Sequence, residues 1–560
     1  MGKEIEIYCL NTGERINMEG GSTPGDLAKI LGDRLPFRPI CAYVNNKTEN
    51  LDFPLFSPKH VELLDYMSRA GVDVYIRSLC MMTYKGVREC FPGMRLRIEL
   101  SISRGHYCRL YDEAGRMVDV SGEMLEALRH KLREIAQADI PFERKERPTS
   151  EVIEIFRRQG LEDKVKLLDT VRDLYTTYYL LDGLADSYYG PLAPSTGYIS
   201  IFNVESYENG FLLLGPDPAA PGEPVKPLAQ PRLYKAFTDY LDFNRVIKVS
   251  SVGDLNQAIA NRHTADLINV AEAMHEKFLG RISDDIARRR EKGEAGIVLL
   301  AGPSSSGKTT TCKRLAIQLM TNCIVPKMIS LDDYFVDREK TPRDESGDYD
   351  YEHLHALDLE RFNLDLQALL RGEEVNLPTY SFEHGRRSDI VKPLRLEAND
   401  VLLIEGIHGL NPELTSSISP SNIYKVYVSA LTTLRIDDHN WISTSDNRLL
   451  RRIVRDYKYR HTSALDTLRR WPSVRRGEEK WIFPFQENAD AMFNSSLLFE
   501  IGVMKAYAEP LLRDVPHSAR EYAQAYRLLR FLHYFETVPA EQVPPTSLLR
   551  EFLGGSSFKY

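Results

Sequence analysis

The stretch Gly302-Pro-Ser-Ser-Ser-Gly307-Lys308-Thr309 constrains this chain more than any other. It fits Gly-x-x-x-x-Gly-Lys-[Ser/Thr] and stands between the apolar run at 297–301 and a helical pattern over 308–320. That pattern puts Cys312, Leu315, Ala316, Leu319 and Met320 on one face. A strand, a glycine-bounded loop and a helix in this order aim backbone N–H groups at phosphate oxygens. The helix adds the positive end of its dipole. The prediction is an ATP phosphate cradle of Gly302, Pro303, Ser304, Ser305, Ser306, Gly307, Lys308, Thr309 and Thr310. Lys308 bridges the β- and γ-phosphates in this reading, and the Thr309 hydroxyl ligates Mg²⁺.

Two carboxylates follow apolar runs of the same kind. Asp332 comes after 328–331 and Glu405 after 401–404. Strands alternating with helices imply a parallel α/β sheet, whose ligands gather at the carboxyl ends of the strands. Phosphoryl transfer needs one carboxylate to take the hydroxyl proton and another near the metal. Farther on, Arg448, Arg451, Arg452 and Arg455 recur at spacings of three and four and so share a helix face. Between 448 and 476 nine arginines and one lysine meet two aspartates, an excess that suits an anion-closing lid.

The rest of the chain is read more coarsely. At 560 residues it calls for three or four domains, and 43% hydrophobic with 27% charged residues is a globular balance. The net charge of −8 argues against a molecule built wholly around a polyanion. No apolar run is long enough to span a membrane, and the acidic start lacks the apolar stretch of a signal peptide. Gly2 is followed by Glu6 where a myristoylation motif wants Ser or Thr. The seven cysteines include no Cys-x-x-Cys, so a reducing cytoplasm is the expected setting. A β-grasp-like module with a helix at 23–35 and strands at 40–44 and 61–64 is expected first. Mixed α+β structure follows to about 243, with a helix face at Leu125, Leu128, Leu132 and Ile135. Residues 216–231, with six prolines, are expected to form an exposed loop. Residues 255–290 read as one amphipathic helix, or two, bridging the modules.

Residues 295–510 resemble the uridine/cytidine kinase and phosphoribulokinase family of P-loop kinases. The matching pieces come in order: the phosphate loop; Leu331-Asp332-Asp333-Tyr334-Phe335; Tyr351-Glu352-His353; Leu377-Pro378-Thr379-Tyr380; Ile404-Glu405-Gly406-Ile407; Arg451-Arg452-Ile-Val-Arg455-Asp456; and Asn488-Ala489-Asp490. The resemblance implies an ATP- and Mg²⁺-dependent phosphotransferase acting on the 5′-hydroxyl of uridine or cytidine. Asp332 matches the base, Lys308 and Arg455 the other catalytic groups, and Thr309, Asp332 and Glu405 the metal ligands. Phe335, Glu352, Tyr380, His384, Arg452, Arg455 and Arg460 match substrate and lid positions. This chain departs from the family pattern at Glu352, where the family has aspartate. His384 follows Tyr380 by four residues rather than five, and the longer lid carries Trp471, Pro472 and Trp481.

Residues 1–66 resemble a TGS domain and 67–243 the editing domain of threonyl-tRNA synthetases. The anchors are Cys90-Phe-Pro92-Gly93, Gly105-His-Tyr107 and Gly190-Pro191-Leu192-Ala-Pro194-Ser-Thr196-Gly197. The editing domain's four zinc-ligand places hold Arg77, Met81, Tyr188 and Leu192 here, so zinc chemistry is expected to be lost. The expected order is thus 1–66, 67–243, a helical connector at 244–294, and the P-loop domain at 295–560. The expected partners are a small-molecule acceptor, an RNA or nucleotide ligand at the N-terminal half, and a second copy of the chain; no membrane is expected. A phosphoribulokinase-like sugar kinase and a nucleotide-dependent RNA-associated regulator stand as alternatives to the nucleoside kinase.

Overall fold

The computed structural model describes residues 4–344, 347–381 and 384–559; Gly2 lies outside them. The first sheet arises from plain alternation. Ile5, Ile7 and Cys9 of strand Glu4–Cys9 point inward while their neighbours face water. The strand turns back as Glu14–Glu19 and pairs in parallel with Lys59–Leu64, which Cys41–Val44 and then Lys47–Glu49 extend. The helix Pro24–Leu31 crosses this sheet. Thr23 and Asp26 cap it reciprocally, Pro24 opens it, and Leu27 and Leu31 bury against the strands.

The α+β part is organised by the long helix α1 (Arg69–Cys90), buried on most of its surface. It packs against the helix Gly122–Gln137, which buries Leu125, Leu128, Leu132 and Ile135. Antiparallel strands Arg95–Ile102, Gly105–Tyr111, Gly210–Leu214 and Asn203–Tyr207 lie beneath. The proline-rich run at 216–231 is largely exposed, as expected, but is not loop throughout. Pro216–Asp217 and Ala220–Pro224 pair as a short hairpin, and Val225 and Gln230 are buried. The backbone donors fall between the prolines: Val225 N–H reaches Gly215 O at 2.9 Å. The Gln230 side-chain oxygen accepts the Ser103 N–H at 2.7 Å.

In the C-terminal half, five strands form one parallel sheet: β1 (Ile297–Ala301), β2 (Val325–Ser330), β3 (Asp400–Glu405), β4 (Ile423–Ser429) and β5 (Ala491–Asn494). Their order is β2-β3-β1-β4-β5. The inner strands are near-continuous apolar runs because both faces are covered. On one face lies α2 (Lys308–Thr321), with Cys312, Leu315, Ala316 and Leu319 buried. Met320, expected on that face, is 54% exposed, since the last turn of α2 runs past the edge of the sheet's core. The bridging segment is two helices, Val252–Ala260 and Thr264–Arg290. The longer one packs Leu279, Ile282 and Ile286 into the same core as Leu300 and Leu315. Arg314 of α2 ties it further through Glu272 and Glu276. Among the described residues, no helix is long and apolar enough to cross a membrane.

The two halves interlock through a hairpin, Arg435–Asp437 with Asn440–Trp441. It carries four ionisable groups into the N-terminal half. Lys164 Nζ lies 2.8 Å from Asp186 and 2.9 Å from Asp437, and His439 Nδ1 lies 2.8 Å from Asp186. Beside them Arg435 pairs with Glu99, and Arg97 with Asp438 at 2.8 Å. Burial alone pushes the Asp186 carboxyl up, but Lys164 and His439 outweigh it and hold its pKa below the ordinary value.

Candidate active site

The phosphate loop leaves β1 at Gly302, where a Cβ would lie 1.9 Å from the carbonyl oxygen of Val428 on β4. It enters α2 at Gly307, whose φ of +83° is a left-handed value that glycine adopts without strain. Two helices brace it from beneath: α3 (Thr444–Arg460) and α4 (Ala464–Trp481). Arg448 Nε donates to Ser304 O at 3.1 Å and its guanidinium pairs with Glu478, which accepts the Ser304 N–H at 3.1 Å. Arg451 donates to Ser305 O at 3.4 Å and Ser495 O at 2.8 Å, and pairs with Glu500. Turning loop carbonyls toward buried cations leaves the N–H groups at the α2 end for an anion, except that of Thr310, which Glu551 already accepts.

This corrects part of the sequence reading. Arg448 and Arg451 lie on the same arginine-rich face as Arg452 and Arg455, yet both are buried and neutralised. They hold the loop and are no part of a lid. Arg452, Arg455 and Arg460 differ. All three gather on the single carboxylate of Asp456, at 3.2, 2.7 and 3.6 Å. Arg452 also reaches the Ser304 hydroxyl at 2.8 Å. Three guanidiniums over one carboxylate leave net positive charge beside the loop.

Opposite them stand the acids. Thr309 Oγ1 donates to Glu405 at 3.1 Å, joining the ends of α2 and β3. Asp332 follows β2 in a short 3₁₀ turn and keeps open surface in the cleft. Enough protein surrounds it that burial pushes its pKa up, against the pull of Lys308, Arg460 and Arg455. Its neighbour Asp333 turns away, accepting the Tyr380 N–H at 3.4 Å and facing Lys392 at 3.7 Å. Burial and repulsion from Glu478 push Glu352 up to about 7. Burial, Asp332 and Glu551 push Glu405 to about 7, against the pull of Lys308.

Phe335 packs on Tyr380, ring centroids 5.6 Å apart, and on Tyr351 at 6.4 Å; Phe335 and Tyr380, matched to substrate positions, are both largely buried in a core with Leu354 and Leu377. Trp481 lies against His353 at 4.3 Å, next to Glu352. Trp471 is buried in the main core beside Arg448, so it shapes the brace rather than a pocket. His384 sits on the exposed turn after Tyr380–Ser381, bonded to Ser381 at 2.9 Å. Three groups escaped the sequence reading. Glu478 lies just past the arginine run as counted. Glu551, from the last short helix, accepts the Thr310 N–H at 3.1 Å and its hydroxyl at 2.7 Å. His408, buried after β3, is pushed down to about 3 by burial.

The donor set suits Mg²⁺. A hydroxyl and one or two carboxylates, completed by phosphate oxygens, are what this hard cation takes. The raised pKa of Glu405 comes first from burial and then from the nearby Asp332 and Glu551. This sets a pH dependence. With its folded pKa above its unfolded value, Glu405 binds more protons folded than unfolded between about pH 4.5 and 7, so the ligand-free chain loses stability as pH rises through that window. Mg²⁺ with a non-hydrolysable ATP analogue needs the ionised form. The rise in melting temperature it causes should therefore be larger at pH 8 than at pH 6. An equal rise at both would remove Glu405 from the metal set.

In the N-terminal half, the places matched to zinc ligands are occupied otherwise. Met81 and Leu192 are wholly buried in an apolar core, Tyr188 donates to Asp186 at 2.7 Å, and Arg77 Nε donates to Pro191 O at 3.2 Å. The purified full chain should carry no stoichiometric zinc and should not deacylate mischarged tRNA. One zinc per chain by metal analysis would overturn this.

Comparison with known proteins supports both halves. Residues 297–498 match the model of the Phosphoribulokinase / Uridine kinase family. A uridine kinase from Halobacterium salinarum is 29% identical over 194 residues, 34% of this chain and 76% of that protein. A threonine–tRNA ligase from Rubrobacter xylanophilus is 28% identical over 210 residues, 38% of this chain. The chain spans only 30% of that ligase's length. A solved structure of a possible uridine kinase from Bacillus stearothermophilus is 20% identical, covering 38% of this chain and 97% of its own, with a TM-score of 0.26. The chain thus joins a segment that matches the Phosphoribulokinase / Uridine kinase family model to one similar to part of threonine–tRNA ligases.

Proposed function

We propose that this chain, whose residues 297–498 are a phosphoribulokinase/uridine kinase family segment, transfers the γ-phosphate of ATP to the 5′-hydroxyl of uridine or cytidine. The observation that carries the reading is Asp332: an exposed carboxylate just past β2, near enough to Lys308, Arg460 and Arg455 for their charges to pull its pKa down against burial. Asp332 accepts the proton of the acceptor hydroxyl as it attacks. Lys308 holds the transferring phosphate, and Arg452, Arg455 and Arg460 stabilise charge as it passes to the acceptor. Thr309, Asp332 and Glu405 would hold Mg²⁺, which would supply charge neutralisation at the phosphates. Phe335 and Tyr380 offer ring faces to a base, and Glu352 a carboxylate to ribose hydroxyls.

The test is ADP release with a panel of uridine, cytidine, purine nucleosides, ribulose 5-phosphate and simple sugars. Uridine or cytidine should exceed every other acceptor by at least ~10-fold in kcat/KM, about 1.4 kcal/mol of transition-state discrimination. Preferential turnover of a pentose phosphate would keep the kinase and overturn the nucleoside.

A further inference from the structure

A cavity of about 310 Å³ opens where the N-terminal sheet, α1, α4 and α5 (Tyr522–His533) meet, away from the phosphate loop. Its wall is rich in arginine, and the pairing of those arginines is uneven. Arg527 is neutralised by Asp446 at 2.7 Å, Arg520 reaches Glu62 at 2.9 Å, and Arg469 reaches Glu521 at 3.1 Å. Arg69, Arg77 and Arg530 line the same cavity with no carboxylate in ion-pair reach among the described residues. Arg77 is only 7% exposed; its hydrogen bond goes to a neutral carbonyl, Pro191 O. Asp73 is the one lining carboxylate without a cation partner, so three unmatched cations face one unmatched anion. Burial, and then the neighbouring Arg527, lowers the Arg69 pKa. A buried charge such as Arg77 is ordinarily paired, and several guanidiniums lining one cavity suit the grip of phosphate oxygens.

The remaining wall is apolar and aromatic: Tyr43, Leu64, Tyr189, Pro191, Leu468 and Pro472. The volume lies within the range of small-ligand sites and exceeds what a bare phosphate fills. We propose that this cavity binds a nucleoside diphosphate, its phosphates on Arg69, Arg77 and Arg530 and its ring against Tyr43 and Tyr189. The site lies outside the catalytic cleft and draws on both halves of the chain. Leu468, Arg469 and Pro472 belong to α4, the helix whose Glu478 braces Ser304 in the phosphate loop. A ligand here therefore bears on the catalytic loop through one rigid element, a link that rests on the kinase reading; the binding itself does not.

The experiment is equilibrium dialysis of labelled ADP, GDP, UDP and CDP against the full chain carrying Lys308→Ala, which weakens the phosphate loop. One saturable site per chain is expected for at least one diphosphate. Adding Arg69→Ala and Arg530→Ala should weaken it at least ~10-fold, since each removes charge-assisted phosphate contacts. Both arginines have open surface and no ion pair to break, so the melting curve should be unchanged. Inorganic pyrophosphate should compete at least ~10-fold more weakly than the best diphosphate. No saturable site, or affinity indifferent to the two substitutions, overturns the proposal; pyrophosphate competing equally well overturns its nucleoside part. Because no turnover is measured, failure here is distinct from failure of the kinase assay.

Discussion

Asp332→Asn is expected to bind ATP as the parent does and to transfer phosphate at least ~10²-fold more slowly, the usual scale for losing a general base. Asparagine keeps the shape and one carbonyl oxygen, so the turn capped by Ser330 survives. It cannot accept the hydroxyl proton, and it removes negative charge facing Lys308, Arg455 and Arg460. The control is the adjacent residue. Asp333 is engaged with the Tyr380 N–H and Lys392, so Asp333→Asn should cost only a few-fold through a loosened turn. Turnover at saturating ATP and uridine, beside a nucleotide titration, separates the two. A dead Asp333→Asn with an active Asp332→Asn would move the base by one residue.

Lys164→Met should be the most destabilising single change outside the active site, by about 3–5 kcal/mol. The ammonium is 1% exposed and lies between Asp186 and Asp437, also buried, with a further hydrogen bond to Ser187 O at 3.0 Å. Methionine fills the space but leaves two carboxylates in a dry interior with His439, Tyr188, Asn440 and the Ser187 N–H, and no buried cation of fixed charge, to satisfy them. Urea unfolding reads the loss as a lowered midpoint. A pH series identifies the cause: the stranded carboxylates gain stability by taking up protons, so the deficit should shrink toward pH 4. A deficit constant with pH would mean lost packing rather than stranded charge. By comparison, Lys29→Met removes an exposed pair with Asp26 and should cost under about 1 kcal/mol.

What the sequence determined by itself was what local periodicity and fixed spacing encode. The phosphate loop is eight consecutive residues between an apolar run and a helical pattern, and the strand, turn and helix form in that order. Leu125, Leu128, Leu132 and Ile135 lie one helical turn apart and bury together because any helix makes them neighbours. Glu405 ends one parallel strand and Asp332 follows another by two residues, where an apolar run gives way to polar sequence.

The tertiary structure decided which charges are free. Arg448, Arg451, Arg452 and Arg455 share spacing and chemistry, and nothing local distinguishes them. The first two turn inward because Glu478 and Glu500, thirty or more residues away, wait there. The latter two share Asp456 because, among the described residues, no second acid comes within ion-pair reach of them. The same holds for Glu551 at Thr310, for Asp437 meeting Lys164 across the chain's two halves, and for the unmatched arginines of the junction cavity. A charge's role depends on the sign and distance of its partners, and Coulomb's law takes no account of sequence separation.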